Sequence, residues 1–254
     1  MKEYDGYLID LDGTMYRGTE SIPEAVQFVA RLRKKGIPYL FVTNNSSKTA
    51  EQVAEHLTHL GIEAKKEEIF TTSMAAANYL YDRHPDTSIY VIGETGLMSA
   101  LEERGLKLTD EEPEAVIIGI DRKITYEKLA KACLSVRKGA MFFSTNGDIA
   151  LPTERGLLPG NGAITSVVSI STQTEPIFIG KPHRIIMDQA LKVLGSPKEK
   201  TLMVGDNYDT DILAGINIGM DTLLVHTGVT TRASLKEKKS HPTYVVDTLE
   251  KWNI

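Results

Sequence analysis

The sequence is poor in the residues that form disulfides, zinc clusters and membrane spans. Its single cysteine, Cys133, excludes an internal disulfide and a cysteine-based zinc site. Apolar residues surround Cys133 at helical spacing, so we expect a packed thiol rather than a nucleophile. The six histidines are scattered without an HExxH pattern, which argues against a zinc centre. The longest uncharged stretch, 156–174, is interrupted by glycine, serine, threonine and proline and does not resemble a membrane helix.

The chain also lacks an excess of positive charge. Its 29 lysine and arginine residues are outnumbered by 34 acidic residues, for a net charge of −5. We therefore expect no nucleic acid or membrane partner, and an anionic substrate would need a local positive site. No GxxxxGK[ST] loop is present, which argues against a nucleotide-driven kinase. The first residues lead directly into an apolar strand without a signal peptide, so we expect a cytoplasmic protein.

Apolar runs alternate with amphipathic segments along the whole chain. The length of 254 residues suits one large or two modest domains with a substantial core. Continuous valine, isoleucine and leucine runs are typical of strands buried on both faces of a parallel sheet. The predicted strands are 7–10, 39–43, 89–92, 116–120, 141–144, 177–179, 201–204 and 222–225. The predicted helices are 25–32, ended by Gly36, 53–60, ended by Gly61, then 74–83, 126–137 and 185–194. This alternation predicts an α/β fold with crossover connections.

Two aspartates stand at the end of the first predicted strand, in the segment Asp10-Leu11-Asp12-Gly13-Thr14. Alternate side chains of a strand point to the same side, so Asp10 and Asp12 can face one small volume. Two carboxylates at such a short distance repel each other, which is unfavourable unless a cation binds or one of them is protonated. Either arrangement can support nucleophilic or acid–base chemistry. The alternative is a turn that merely ends the strand, since aspartate and glycine are common turn residues.

Other predicted strands also end in polar residues, and ligands of open α/β sheets bind at these carboxyl ends. Thr43-Asn44-Asn45-Ser46 precedes a helix predicted to begin near residue 48, where backbone N–H groups can hold an anion. Helix capping by the asparagine and serine side chains is the alternative. Lys181, between Gly180 and Pro182, follows another predicted strand, and this place at a strand end favours an inward role. The alternative is a solvated surface lysine.

The fourth group is Gly205-Asp206-Asn207-Tyr208-Asp209-Thr210-Asp211, which follows the strand 201–204. Acidic residues in a first helical turn suit the helix dipole, which is the alternative to a functional role. Mg²⁺, however, prefers one or two carboxylates together with water and phosphate oxygens, and Asp10 with Asp206 supplies that set.

These four groups together resemble the motifs of the haloacid dehalogenase (HAD) superfamily in order, strand context and residue type, over essentially the whole chain. Finer features resemble its NagD-like phosphatases (subclass IIA, with a C2-type cap), which include acid sugar phosphatases. They are Thr43-Asn44-Asn45-Ser46, Val91-Ile92-Gly93-Glu94, Thr145-Asn146-Gly147-Asp148, Pro159-Gly160-Asn161-Gly162-Ala163-Ile164 and Gly180-Lys181-Pro182. The resemblance implies a doubly wound, Rossmann-like parallel-sheet core, 1–80 and 177–254, with an inserted α/β cap domain, 81–176.

The resemblance implies a Mg²⁺-dependent phosphatase in which Asp10 is the nucleophile and forms an aspartyl-phosphate. Asp10, Asp206 and the main-chain carbonyl of Asp12 would bind the metal, and Asp211 would orient the metal site without ligating it. Asp12 would donate a proton to the leaving group and then activate water, which requires a raised carboxyl pKa.

The remaining motif residues are expected to bind the substrate. The resemblance implies that Thr43, Asn44, Asn45 and Lys181 hold the phosphate. Asn146 and Asp148 follow an apolar strand of the insertion and can meet the substrate, although turn residues are as good an interpretation. The partner expected from this branch is a small phosphorylated metabolite, and a cap surface of this kind can also serve as a homodimer contact.

The resemblance implies phosphate monoesters of sugars or sugar acids as substrates, followed by nucleotides, pyridoxal phosphate and phosphoglycolate. A dehalogenase would not need the acid at position 12, which argues against that activity. A phosphotransferase could use the same intermediate. A non-catalytic phosphometabolite-binding module on this fold would usually have lost a catalytic group, and none is missing.

Overall fold

The computed structural model describes residues 2–153 and 155–254. Strands in these residues are β1 (Gly6–Ile9), β2 (Tyr16–Arg17), β3 (Glu20–Ser21), β4 (Tyr39–Thr43), β5 (Ile69–Thr71), β6 (Ser88–Ile92), β7 (Lys107–Leu108), β8 (Ala115–Ile118), β9 (Met141–Ser144), β10 (Ala150–Thr153), β11 (Gly156–Pro159), β12 (Ile177–Phe178), β13 (Thr201–Gly205), β14 (Asp221–Val225) and β15 (Tyr244–Val246). Helices are α1 (Pro23–Lys35), α2 (Ala50–His59), α3 (Thr72–Arg83), α4 (Thr95–Glu103), α5 (Tyr126–Arg137), α6 (Asn161–Thr172), α7 (Arg184–Leu194), α8 (Leu213–Ile218) and α9 (Arg232–Lys236).

The chain divides into two compact units. The first comprises Met1–Thr43, Glu51–Phe70 and Lys181–Ile254, and the second comprises Asn44–Ala50 and Thr71–Gly180. The second unit therefore extends beyond the predicted insertion, 81–176, at both ends. A cap function for this unit stays a prediction.

The first unit is built on a six-stranded sheet with the order β15-β14-β13-β1-β4-β5. Strand β1 pairs in parallel with β4 on one side and with β13 on the other, so the strand order reverses at β1. Such a reversal is the point at which doubly wound sheets bind ligands.

The sequence explains why these strands lie in the centre of the sheet. Every residue of β1, β4 and β13 is buried, as expected for apolar runs covered on both faces. Helix α1 covers part of the sheet with Ala25, Phe28, Val29 and Leu32, a spacing of three and four residues. It ends at Gly36, whose φ of 67° lies in the left-handed region that glycine adopts easily.

The second unit contains a five-stranded parallel sheet with the order β12-β9-β8-β6-β7. Its buried core lies between this sheet and helices α5 and α6, and includes Tyr90, Val116, Phe142 and Val168. Cys133 packs against this core, which confirms the prediction of a packed thiol. A separate antiparallel hairpin joins β10 and β11. The two parallel sheets with their helices confirm the predicted α/β fold.

The structure departs from the sequence pattern at several boundaries. Strand β12 pairs with β9 (Ile177 opposite Phe143) and so belongs to the second sheet, whereas the predicted second segment of the core begins at residue 177. The helix predicted to begin near residue 48 begins at Ala50 and ends at His59. In the described residues, no helix is both long and apolar enough to span a bilayer.

Candidate active site

The candidate site lies at the carboxyl ends of the central strands of the first unit. Asp10 directly follows β1, Thr43 is the last residue of β4, and Asp206 directly follows β13. Ile9 pairs with Phe41 on one side and with Val204 on the other, so the three ends lie side by side. The predicted convergence of these strand ends is therefore present for Asp10, Thr43 and Asp206.

Lys181 links two of the acidic residues. Its Nζ donates to Asp10 Oδ1 at 2.6 Å, to Asp211 Oδ1 at 2.8 Å and to the Val42 carbonyl at 2.8 Å. The side chain is only 1% exposed, so the alternative of a solvated surface lysine is wrong. Burial alone lowers the pKa of Lys181, but the carboxylates of Asp10 and Asp211 outweigh it, and the pKa is raised. The lysine therefore stays charged and neutralises part of the acidic cluster.

Asp10, Asp206 and Asp211 form a buried acidic trio. One oxygen from each carboxylate lies within 4.8 Å of the others. Burial and then the charge of Asp211 raise the pKa of Asp10 well above its ordinary range, with Lys181 acting in the opposite direction. Burial and then the charge of Asp211 raise the pKa of Asp206 to about 6. Three carboxylates against one lysine leave an excess of negative charge.

The hydrogen bonds of Asp211 differ from those of Asp206. Asp211 accepts from Lys181 and from the Thr210 hydroxyl at Oδ1, and from the Asn207 backbone N–H at Oδ2. Asp206 accepts one bond at each oxygen, from the Thr14 hydroxyl at 2.9 Å and from the Val229 backbone N–H at 2.7 Å. A carboxylate offers about four acceptor positions, so Asp206 keeps more capacity for a cation than Asp211 does.

This donor set fits a hard divalent cation. Carboxylate oxygens are the ligands that Mg²⁺ prefers, and it is commonly bound by one or two of them. Asp10 and Asp206 would supply these oxygens, and Asp211 would orient the site through Lys181 and the backbone of residue 207. The Asp12 side chain contributes no oxygen to the trio, which leaves only its main-chain carbonyl as a proposed ligand.

Asp12 has a different environment. Its side chain is exposed, yet partial desolvation by the surrounding protein raises its carboxyl pKa, while the charge of His56 and the Gly13 backbone N–H act in the opposite direction. The His56 ring packs edge-on against Tyr16, with ring centroids 5.2 Å apart. A raised pKa is the direction that a proton donor at this position requires.

The predicted substrate residues of the second unit form their own hydrogen-bonded group. The Asn44 amide donates to both oxygens of Asp148 at 3.3 Å, and the Asn146 amide donates to the Asn44 carbonyl at 2.8 Å. Asn146 is buried, so the interpretation as a surface turn residue is wrong for it. The Asn45 side chain accepts from the backbone N–H groups of Ser47 and Lys48, which holds the turn ahead of α2. Phosphate binding by these residues stays a prediction.

Two contributors to the site were not assigned a role from the sequence. Thr14 and Val229 hold the Asp206 carboxylate, and Val229 lies in the loop after β14. The polar and glycine residues after β14, Thr227-Gly228, are a signal of the same kind as those after β1 and β13. The residues after the predicted strand 222–225 therefore indicate, by the same pattern, that this loop can belong to the site.

Comparisons with known proteins agree with this arrangement. Residues 7–107 match the family model of haloacid dehalogenase-like hydrolases, and residues 178–252 match that of HAD-hydrolase-like proteins. The chain is 60% identical to the 5'-nucleotidase YutF of Bacillus subtilis, over 99% of this chain and 98% of that one. It is 56% identical to an acid sugar phosphatase of Staphylococcus aureus, over 96% and 95%.

A solved structure is similarly close. The double mutant of the thermostable NPPase from Geobacillus stearothermophilus superposes with a TM-score of 0.95 at 60% identity, covering 100% of this chain and 99% of that one. The chain therefore belongs to the haloacid dehalogenase-like hydrolases, within the NagD-like phosphatases, and is a phosphoric monoester hydrolase.

Proposed function

We propose that this enzyme is a Mg²⁺-dependent phosphatase that hydrolyses small phosphate monoesters through an aspartyl-phosphate on Asp10. The observation that carries the proposal is the Asp10 carboxylate itself. It lies at the switch point of the sheet, 2.6 Å from a buried lysine ammonium and within the acidic trio. A bound Mg²⁺ would favour the ionised carboxylates and would screen the repulsion between Asp10 and an approaching phosphate.

The proposed reaction has two displacements at phosphorus. In the first, a carboxylate oxygen of Asp10 attacks phosphorus and the bond from phosphorus to the ester oxygen breaks, while Asp12 gives its proton to that oxygen. In the second, Asp12 accepts a proton from water as the water oxygen attacks phosphorus. The bond between phosphorus and Asp10 then breaks, releasing phosphate and restoring the carboxylate.

Binding of the transferring group is proposed for Thr43, Asn44 and Lys181. Thr43 is adjacent in the chain to Val42, whose carbonyl accepts from Lys181, so hydroxyl and ammonium share one strand end. Donors fixed at this position would stabilise charge on the phosphate oxygens as the ester bond breaks.

Two substrate classes are favoured, each by the name of a close relative. We favour sugar or acid-sugar phosphates, and nucleoside 5'-monophosphates are the second candidate because the Bacillus subtilis relative is named a 5'-nucleotidase. A phosphate-release panel should include both classes with pyridoxal phosphate, phosphoglycolate and p-nitrophenyl phosphate, with and without Mg²⁺. No release from any ester in the presence of Mg²⁺ would contradict the proposed function.

The nucleophile has its own test. We expect Asp10→Asn to abolish phosphate release while its circular dichroism spectrum matches that of the wild type. Acid-stable, hydroxylamine-labile labelling by a radioactive phosphate ester should occur in the wild type and be absent from the variant. Near-normal turnover by Asp10→Asn would overturn the assignment of Asp10.

A further inference from the structure

The loop that follows β14 contacts the proposed metal ligand Asp206 from several directions. We propose that residues 227–229 position the Asp206 carboxylate for the metal, and that Gly228 leaves the space which this carboxylate occupies. The inference rests on the proposed Mg²⁺ site. It adds to that site residues that lie outside the four groups around Asp10, Thr43, Lys181 and Asp206.

Two glycines enclose the Asp206 carboxylate. A Cβ on Gly228 would overlap Asp206 Oδ2 and would lie 2.5 Å from Asp206 Cγ and 2.9 Å from Gly13 Cα. A Cβ on Gly13 would lie 2.6 Å from Cγ and 2.7 Å from Oδ1 of the same carboxylate. Real side chains essentially never approach so closely, so the carboxylate fits only because both positions lack a side chain.

Hydrogen bonds fix the remaining freedom of Asp206. The Val229 backbone N–H donates to Oδ2 at 2.7 Å, and the Thr14 hydroxyl donates to Oδ1 at 2.9 Å. The loop is itself anchored to the aspartate motif, because the Thr227 hydroxyl donates to the Gly13 carbonyl at 2.7 Å. Asp206 is fully buried, so water does not compete for these bonds.

The consequence is a carboxylate that is oriented before the cation arrives. With contacts on both oxygens and glycines against it, Asp206 has little room to rotate, and an oxygen remains near Asp10 and Asp211. Groups that orient a metal ligand typically change metal affinity by about 10–100-fold when they are altered. We therefore expect changes in this loop to weaken metal binding.

Gly228→Ala is the direct test, since Gly228 does not have the positive φ that would strain an alanine backbone. Mg²⁺ binding to the substrate-free enzyme is measured by isothermal titration calorimetry, and folding is checked by circular dichroism and thermal melting in EDTA. We expect about 10–100-fold weaker Mg²⁺ binding, with the folded spectrum retained. A kinetic titration with Mg²⁺ should show the same shift in the concentration needed for half-maximal activity.

A second pair of variants separates positioning from general loss of stability. Thr227→Val removes the bond to Gly13 without changing side-chain shape, and we expect about 2–10-fold weaker Mg²⁺ binding from one lost hydrogen bond. The matched control is Thr231→Val, which removes the exposed N-cap bond to Ser234 at the start of α9. It should lower the melting temperature slightly and leave Mg²⁺ affinity unchanged.

The outcomes are distinct for the two proposals. A wild-type enzyme that binds no Mg²⁺ would contradict the proposed metal site itself. A wild type that binds Mg²⁺, together with wild-type affinity in a folded Gly228→Ala, would overturn the role of the loop. If Gly228→Ala does not fold, unchanged affinity in Thr227→Val would have the same meaning.

Discussion

The buried lysine offers the sharpest test of the electrostatics in this site. Lys181 is 1% exposed, as is its partner Asp211, and Asp10 is 14% exposed. Lys181→Met keeps a long apolar stem but removes the ammonium and its hydrogen bonds to Asp10, Asp211 and the Val42 carbonyl. In the metal-free enzyme the variant would leave the acidic trio without its compensating charge.

The expected loss is large. Removing one partner of a buried ion pair costs about 3–5 kcal/mol, because the other charge stays buried and uncompensated. For chains of this size, 1 kcal/mol lowers the melting temperature by about 2–4 °C. Together these figures predict a melting temperature about 6–20 °C below that of the wild type in EDTA.

A matched control isolates the effect of burial. Lys251 also donates to an aspartate, Asp247, at 2.8 Å, but the two side chains are 62% and 40% exposed. Lys251→Met should therefore cost at most about 1 kcal/mol. Calorimetric melting of both variants and the wild type, in EDTA at neutral pH, measures the difference. Equal losses in the two variants would refute the argument from burial.

The pH dependence gives a second check on the same variant. A carboxyl group whose pKa is raised by folding stabilises the folded state below its unfolded pKa, and that stability is lost as the pH rises through the folded value. Without Lys181 the pKa of Asp10, already raised by burial, should rise further. The stability deficit of Lys181→Met should therefore be smaller in mild acid than at neutral pH, and a deficit that grows on acidification would contradict this.

Three further predictions concern the metal, the acid and the substrate residues. Asp12→Asn removes the proposed acid and should slow phosphate release. Because the proposed metal ligand at Asp12 is its backbone carbonyl, the Mg²⁺ affinity measured by calorimetry should stay nearly unchanged, and a large loss of affinity would contradict the assignment. Burial and the charge of Asp211 raise the pKa of Asp206 to about 6, so protons should compete with Mg²⁺ and the affinity should fall as the pH is lowered through this value. A flat calorimetric profile through this range would exclude the competition. Asp148→Ala removes the two carboxylate oxygens that accept from the Asn44 amide and should raise the KM for p-nitrophenyl phosphate by about 2–10-fold. Asp86→Ala, at an exposed position of the same unit, should leave the KM unchanged, and equal KM values in the two variants would refute the role of Asp148.

Much of the first unit follows from local sequence pattern. The runs at 7–10, 39–43 and 201–204 are apolar enough to indicate buried parallel strands. The first and last residues of each run agree with those of an observed strand to within one residue. Parallel strands bring their carboxyl ends to one edge, so the polar residues after them could be grouped without coordinates. This is why the sequence predicts that Asp10, Thr43 and Asp206 lie close together.

The second unit shows where pattern is insufficient. Strand β7 has two residues, too short for a period to be read, and it is placed by pairing with β6. The run at 177–179 does predict β12, but its pairing with β9 in the second sheet is seen only in the folded chain. Helix α6 is rich in serine, threonine and valine, which have modest helix propensity. Its packing against the sheet of the second unit, through Val168, stabilises it instead.

The roles of individual polar side chains depend on partners that are remote in the chain. Asn44 and Asn45 are adjacent and chemically identical, yet Asn45 holds the turn beside it, whereas Asn44 donates to Asp148, 104 residues away. Gly228 looks like any loop glycine until Asp206 is seen to occupy the space where its side chain would be. A motif therefore indicates which residues can react, but the orientation of a ligand such as Asp206 depends on residues without reactive groups, and these are recognised only from the folded chain.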